Sequence, residues 1–177
     1  MKKGVIEFEE LPSTNLEARK MIEQGCEPWT VVVAKKQGSG HGTRGKDWFS
    51  PEGGLYFSVI LPPANIKDLQ ILTLLSAFAV ASAIKEEFDL EPMIKLPNDV
   101  FVNGKKFCGI LTENVIKGND INSVIGIGID TNIDYFPDEL SRIATSVSNE
   151  LGVAVDNDKI VEKVIENMRY YFNEITI

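Results

Sequence analysis

The 177-residue chain has few of the residues that build metal and redox centres. It contains a single histidine, His41, and two cysteines, Cys26 and Cys108. One histidine excludes a histidine-rich metal site, and the cysteine spacing matches neither a zinc motif nor a dithiol motif. Cys108 lies in an apolar stretch, where a lone cysteine is usually a small core residue. The cysteines therefore predict no metal or redox site.

Basic charge is also scarce, because 18 Lys and Arg stand against 26 Asp and Glu, which gives a net charge of -8. A general nucleic-acid binder needs a basic face, so this balance argues against that class, and we expect no specific nucleic-acid partner. One short region nevertheless gathers several cations, and both a basic patch and a solvated loop remain open for it. These cations are Lys35, Lys36, Arg44 and Lys46.

Long hydrophobic runs are missing as well. The basic start, Met1-Lys2-Lys3, is followed closely by Glu7, Glu9 and Glu10, so no signal peptide or transmembrane segment is predicted. We therefore expect a cytoplasmic protein without a membrane partner. The 44% of hydrophobic residues can supply one core, and a single domain over residues 1–177 is predicted.

The alternation of apolar and turn-forming residues predicts an α+β fold, a mostly antiparallel mixed sheet with packed helices. Strands are predicted at residues 5–8, 30–34, 55–61, 93–95, 100–102, 105–112 and 123–129. Asn103-Gly104 is a strong hairpin signal between two of these strands. A polar turn at residues 117–120 precedes the last strand.

Three helices are predicted from apolar periodicity and capping signals. The first begins at residues 13–15, with Thr14 and Glu17 in capping-box spacing, and ends at Gly25. The second spans residues 67–88, and its small residues suggest close packing against a sheet. The last is amphipathic and is capped by Asp158.

The glycine-rich stretch at residues 38–45 cannot hold regular structure and is predicted to be a loop. Its exposed N–H groups could cradle a phosphate or carboxylate, with charge added by Arg44 and Lys46. A flexible linker is the alternative interpretation. The spacing is neither that of a Walker A loop nor that of a Rossmann fingerprint. Trp48 closes the loop as a core anchor or as a stacking wall.

A second segment, Lys95-Leu-Pro-Asn-Asp99, lies at a strand-to-turn junction, where ordinary turn chemistry would also explain it. Lys106 follows on an apolar strand. It is either a snorkelling side chain or the cation that stabilises charge where a carboxylate attacks an α-phosphate.

Together these segments resemble the catalytic domain of biotin protein ligases. The first matches the family's Gln, glycine- and arginine-rich loop and Trp-x-Ser-Pro in order and spacing, through Gln37, Gly40, Gly42, Gly45, Trp48, Ser50, Pro51 and Gly53. The second resembles the family's Lys-Trp-Pro-Asn-Asp motif and the lysine that follows it. Weaker matches are Ser13-Thr14-Asn15, Gly126-Ile-Gly-Ile-Asp130-Thr-Asn132 and Ala144-Thr-Ser-Val147.

The resemblance implies a class II synthetase-like fold and an enzyme that joins biotin and ATP, with Mg²⁺, into biotinyl-5′-AMP and pyrophosphate. Biotin would then pass to a lysine of a biotin carboxyl carrier protein or domain. The implied catalytic residues are Lys106 and Arg44. The implied biotin-binding residues are Ser13, Thr14, Asn15, Gln37, Gly40, Trp48, Lys106 and Gly109. The implied nucleotide-binding residues are Gly42, Arg44, Lys46, Trp48, Asn98, Asp130 and Asn132, and Asp99 is the implied Mg²⁺ ligand.

Four positions depart from the family pattern. His41 and Thr43 stand where arginines are usual, Leu96 replaces a tryptophan, and Asp130 replaces an asparagine. We expect neither an N-terminal DNA-binding domain nor a C-terminal β-domain, and an exposed edge strand would allow a homodimer. Two alternatives stay open, a lipoate or octanoate transferase of the same fold and a catalytically silent biotin-binding module.

Overall fold

The computed structural model describes residues 4–63, 69–117 and 120–175. Within these residues a seven-stranded sheet has the order β1-β2-β3-β7-β6-β5-β4. The strands are β1 (Val5–Leu11), β2 (Val31–Gln37), β3 (Leu55–Ile60), β4 (Met93–Lys95), β5 (Asp99–Val102), β6 (Lys105–Lys117) and β7 (Asp120–Ile129). β1 and β2 run parallel, and the other neighbouring pairs are antiparallel. The predicted mostly antiparallel mixed sheet is confirmed.

The predicted hairpin between β5 and β6 is also present. Asn103 and Gly104 both have positive φ, 50° and 77°, which is the backbone that a two-residue hairpin turn requires. β6 and β7 extend well beyond their predicted ends and pair up to Lys117 and Asp120. Residues 118–119 of the predicted polar turn lie outside the described residues.

The helices are α1 (Thr14–Gln24), α2 (Leu69–Phe88), α3 (Asp138–Ser141), α4 (Val147–Leu151) and α5 (Asn157–Ile175). The left-handed Gly25, with φ 83°, ends α1 as predicted. Residues 67–68, the predicted start of the second helix, lie outside the described residues.

The predicted start of α1 is confirmed, but its predicted capping box is absent and the predicted cap of α5 is wrong. α1 is preceded by Ser13, whose side chain makes no capping hydrogen bond, and the Thr14 hydroxyl contacts Ser58 instead of closing a capping box. At α5, the carboxylate of Asp156 accepts from the backbone N–H of Asp158 at 3.0 Å, so Asp156 caps the helix. At α1, the Thr14 hydroxyl is engaged by Ser58 and is not available to cap the helix. At α5, the Asp156 carboxylate binds the first backbone N–H groups of the helix.

The sheet buries a core on each face. α2 and α5 cover one face, and α1 covers the other. β7 shows how the sequence separates them, because Ile125, Ile127 and Ile129 join the α2–α5 core. The intervening Gly126 and Gly128 therefore point to the α1 face, since successive residues of a strand alternate sides. Their missing side chains leave space on that face.

Cys108 is fully buried in the α2–α5 core, as predicted for a small core residue. Burial raises the pKa of its thiol, so the thiol stays protonated and inert. None of the helices in the described part of the chain combines the length and apolar character of a membrane span.

Candidate active site

A cavity of about 400 Å³ opens where the glycine-rich loop meets the α1 face of the sheet. Its size is typical of small-molecule sites. Most of the predicted site residues line it, namely Ser13, Thr14, Asn15, Gln37, Gly42, Lys46, Trp48, Asn98, Lys106, Gly109 and Asp130. The structure thus brings both sequence segments to one cavity.

Three glycines, Gly109, Gly126 and Gly128, form the floor of this cavity, which we call the glycine floor. A Cβ on Gly109 would lie 2.9 Å from the indole ring of Trp48. A Cβ on Gly128 would overlap Nε1 of the same indole, and one on Gly126 would overlap the amide of Asn15. Side chains therefore cross these strands so closely that a Cβ at any of the three positions would require the crossing side chain to move.

Hydrogen bonds between neutral side chains build one end of the cavity, its polar end. The backbone N–H of Thr14 donates to Oε1 of Gln37 at 2.8 Å, which orients the Gln37 amide. Nε2 of Gln37 donates to the Ser50 hydroxyl at 3.1 Å. Ser58 is fully buried on β3, and its hydroxyl lies 2.8 Å from that of Thr14 and 2.6 Å from Oδ1 of Asn15.

A lysine marks the other end of the cavity, its charged end. Nζ of Lys106 lies 2.6 Å from Oδ1 of Asp99. The same ammonium lies 4.9 Å from the centre of the Trp48 ring, within the range of a cation–π contact. The Lys106 and Asp99 side chains are about a quarter exposed, 28% and 26%, so incoming anions can reach the ammonium.

A β-bulge aims Lys106 at the cavity. β5 pairs Val100 with Cys108 but Phe101 with Lys106, so the register shifts by one residue at Phe107. Without the shift, Lys106 would share the buried face of Cys108. The bulge instead turns it to the side of Gly109, and a parallel bridge to Ala144 fixes its backbone.

Asp130 directly follows the last residue of β7. It continues the alternating positions, Gly126 and Gly128, that face the cavity. It is 5% exposed, and no Lys or Arg among the described residues forms an ion pair with its carboxyl. Burial raises the pKa of this carboxyl well above its ordinary range, and the charge of Lys106 opposes that shift. The carboxyl is therefore held toward its neutral form, in which it resembles the asparagine of the family pattern.

The glycine-rich loop folds back on itself beside the cavity. The backbone N–H of Gly42 donates to the carbonyl of Lys46 at 2.7 Å, and that of Trp48 donates to Gly40 at 2.9 Å. Between them, Thr43–Gly45 form one short 3₁₀ turn. The segment is a loop, as predicted, but it contains this one turn of regular structure. Trp48 belongs to neither hydrophobic core, so it is a wall of the cavity and not a core anchor.

The remaining predicted site residues are not among the lining residues. Gly40 is packed against Ser50, and Asp99 forms the ion pair with Lys106. Arg44 is exposed at the tip of the loop with φ 61°. Asn132 holds the start of the last helix, because its Oδ1 accepts from the backbone of Val155 at 2.8 Å and its Nδ2 donates back at 3.0 Å.

For four cations the sequence left a basic patch and a solvated loop open, and two of the four are held in ion pairs. Lys35 is paired with Glu9 and Lys36 with Glu10, each at 2.8 Å, across neighbouring strands. Sequence reasoning also missed several lining residues, of which Phe136, Leu140 and Ile143 are apolar. They lie between the weak motifs at residues 126–132 and 144–147, and their spacing predicts neither a helix nor a strand. Ser58 was missed because it sits inside an apolar strand.

Comparisons with known proteins show the family to which the chain belongs. A model of the biotin/lipoate A/B protein ligase family matches residues 5–130. The chain is 39% identical over 170 residues to the bifunctional ligase/repressor BirA of Bacillus subtilis (strain 168), which covers 93% of this chain and 52% of that protein. It is 33% identical over 162 residues to the biotin–[acetyl-CoA-carboxylase] ligase of Paracoccus denitrificans, with coverages of 85% and 65%.

A solved structure shares the fold. The biotin protein ligase from Aquifex aeolicus in complex with biotin and ATP matches with a TM-score of 0.85 and 31% identity, over 95% of this chain and 69% of that chain. The chain spans about half the length of the BirA relative, 52%. The match to the family model covers well over half of this chain. The chain belongs to the biotin/lipoate A/B protein ligase family.

Proposed function

We propose that this protein is a biotin protein ligase. It activates biotin with ATP to biotinyl-5′-AMP and pyrophosphate, and then transfers biotin to a lysine of a biotin carboxyl carrier domain. The names of the similar proteins from Bacillus, Paracoccus and Aquifex support this choice of substrate.

The observation that carries the proposal is the layout of the cavity. Its polar end and its charged end are joined by the glycine floor. Gly126 and Gly128 are two residues apart on one strand, which is about 7 Å. This layout suits a flat ligand with a polar, hydrogen-bonding head and a carboxylate on a short apolar tail. Biotin has both features, with a ureido ring at one end and a carboxylate at the other.

The residues of the cavity then take defined roles. Thr14 and Gln37 bind the ureido ring, and the Trp48 indole covers the ligand. Lys106 draws the biotin carboxylate and the α-phosphate together and stabilises the negative charge that builds up between them. A carboxylate oxygen forms a bond to the α-phosphorus, the bond to the β-phosphate oxygen breaks, and pyrophosphate leaves. The enzyme contributes positioning and charge, and no covalent protein intermediate forms.

Mg²⁺ fits this site as a companion of ATP. Among the described residues, no three potential His, Cys, Asp or Glu ligands are clustered. Mg²⁺ usually keeps several waters and takes one or two carboxylates together with substrate phosphates. Asp99 is the carboxylate nearest to the Lys106 ammonium, at 2.6 Å, and we assign it as the protein ligand. When bound, Mg²⁺ neutralises phosphate charge.

The second step needs only an incoming amine. The ε-amine of the carrier lysine attacks the carbonyl of the mixed anhydride, an amide bond forms, and AMP leaves. The glycine-rich loop and Lys46 lie at the mouth of the cavity, where they can hold the adenylate until the carrier arrives.

Biotin-dependent exchange of pyrophosphate into ATP tests the first step, and transfer of biotin to a carrier domain tests the second. We expect both activities with biotin and neither with lipoate. Exchange with lipoate and not with biotin would identify a lipoate enzyme. Biotin binding without exchange would identify a silent binding module, and either result would refute the proposal.

A further inference from the structure

A chain of hydrogen bonds runs from the polar end of the cavity to a carboxylate that does not line it. Glu113 lies on β6, and its Oε2 accepts a hydrogen bond from Nδ2 of Asn15 at 2.7 Å. Its other oxygen lies 3.5 Å from the guanidinium of Arg19 on the surface. Glu113 therefore acts on the cavity only through Asn15.

The acceptors around Asn15 fix the orientation of its amide. Nδ2 faces Oε2 of Glu113 and, at 3.4 Å, the carbonyl oxygen of Leu111. Oδ1 faces the hydroxyl of Ser58 at 2.6 Å. If the amide were turned by half a turn, its oxygen would face a carboxylate and a carbonyl, and neither can donate a proton. Glu113 thus ensures that Asn15 presents an acceptor to Ser58.

The orientation of the Asn15 amide also decides where the hydroxyl protons of Ser58 and Thr14 point. Ser58 has one proton, which goes to Asn15, so the Ser58 oxygen is left to accept from the Thr14 hydroxyl at 2.8 Å. The other neighbour of that hydroxyl is Oε1 of Gln37 at 3.3 Å, which is also an acceptor. In both cases Thr14 donates inside the protein, and its lone pairs remain for a ligand.

The polar end therefore has a defined hydrogen-bonding pattern. Thr14 offers an acceptor, and Gln37 offers the Nε2 proton that is not donated to Ser50. A cyclic urea has the complementary groups, an N–H donor beside a carbonyl acceptor.

We propose that Glu113 is a positioning residue that sets this pattern and with it the affinity for a ligand head bearing an N–H donor. The inference deepens the proposed function and rests on it. Without the carboxylate, only the longer contact to the Leu111 carbonyl, at 3.4 Å, still orients the Asn15 amide, so the turned orientation becomes populated. Ser58 can then donate to Thr14, and the Thr14 proton turns into the cavity, where it opposes the N–H of the ureido ring.

The test compares Glu113→Leu and Glu113→Gln with wild type, and Glu86→Leu serves as the control. Glu86 also carries an ion pair, to Lys163 at 2.9 Å, but on α2, away from the cavity. For Glu113→Leu we expect the biotin dissociation constant by calorimetry, and the KM for biotin, to rise about tenfold. The KM for ATP, kcat and the melting temperature should change little.

The conservative variant should restore binding. Glu113→Gln keeps an oxygen for Asn15, while the half-exposed Arg19 can turn to water, so its biotin affinity should lie within about twofold of wild type. Unchanged biotin affinity in Glu113→Leu would overturn the inference. An equal loss in both Glu113 variants, or a parallel rise of both KM values with a lower melting temperature, would also overturn it.

Calorimetry separates this inference from the proposed function. A wild-type chain that binds biotin but catalyses no exchange refutes the ligase, while the Glu113 comparison is still read from the dissociation constants. A wild-type chain that does not bind biotin would overturn both.

Discussion

At the scale of single residues, the Lys106 ammonium at the charged end of the cavity is held between a carboxylate and an aromatic ring. Lys106 contacts Asp99 at 2.6 Å and lies over Trp48. This arrangement keeps the ammonium at the charged end of the cavity before any ligand is bound. In the proposed reaction, a biotin carboxylate and an ATP phosphate would supply the charges that compete with Asp99.

Lys106→Ala should lower the rate of biotin-dependent pyrophosphate exchange by about 10²–10³-fold, the usual effect of losing one stabilising group for transition-state charge. The fold should survive, because the ion pair with Asp99 is about a quarter exposed. Lys105→Ala is the matched control, since the neighbouring lysine is not among the lining residues. Exchange at the wild-type rate in Lys106→Ala would remove Lys106 from catalysis.

Gln37→Ala should weaken biotin binding by about 1–3 kcal/mol, because a buried polar group of the ligand would lose its partner. ATP binding should change little, since Gln37 lies at the polar end of the cavity. Calorimetry with each ligand measures both effects. Gln24→Ala, at the exposed end of α1, is the control. Equal losses for the two ligands would place Gln37 elsewhere in the mechanism.

At the scale of elements, the sequence predicted most strands because their alternation and turn signals are local. It missed the bulge at Phe107, so alternation alone would place Lys106 on the wrong face of β6. It also placed the cap of α5 two residues late, at Asp158 instead of Asp156. Which of two nearby acidic residues caps a helix depends on the direction from which the preceding chain enters the helix. The local sequence does not determine that direction.

The glycine-rich loop is the element that we expect to respond to ligand. Arg44 and Lys46 are exposed, and Arg44 has the left-handed backbone that a glycine adopts at lower cost. Trypsin should cleave after both residues in the free protein, and more slowly once biotin and MgATP are present. A small chromogenic substrate in the same tube controls for inhibition of trypsin. Equal cleavage with and without ligands would argue against closure of the loop.

At the scale of the whole molecule, the motifs predicted which segments meet, since their order matches that of one family. They did not predict the apolar wall of Phe136, Leu140 and Ile143, because its position depends on how the chain returns over the sheet. Nor did they show that Asp130 is buried, a property that depends on every layer around it.

Burial of Asp130 should make the stability of the whole protein depend on pH. Because the pKa of this carboxyl is raised in the folded state, the unfolded chain releases the proton at lower pH. The contribution of Asp130 to stability is therefore fully present below about pH 4, the unfolded value, and is lost as the pH rises through the folded pKa. Asp130→Asn should remove this loss.

Urea unfolding at pH 4 and pH 7 measures the difference. The free energy of unfolding of Asp130→Asn, relative to wild type, should be higher at pH 7 than at pH 4. Asp134→Asn, which removes an exposed carboxylate nearby, should show no such change. Parallel pH profiles for wild type and Asp130→Asn would contradict the assignment of a raised pKa.

The glycine floor has a consequence for how this protein tolerates mutation. Alanine at Gly109 or Gly128 meets chiefly the indole of Trp48, which belongs to a loop and can move aside. In a library of all substitutions, selection for folded protein should then accept small residues at these two positions, while selection for biotin labelling should accept glycine alone. The gap between the two selections would map the outline of the ligand. It would also show where a trimmed biotin analogue could be paired with an enlarged floor to give an orthogonal labelling enzyme.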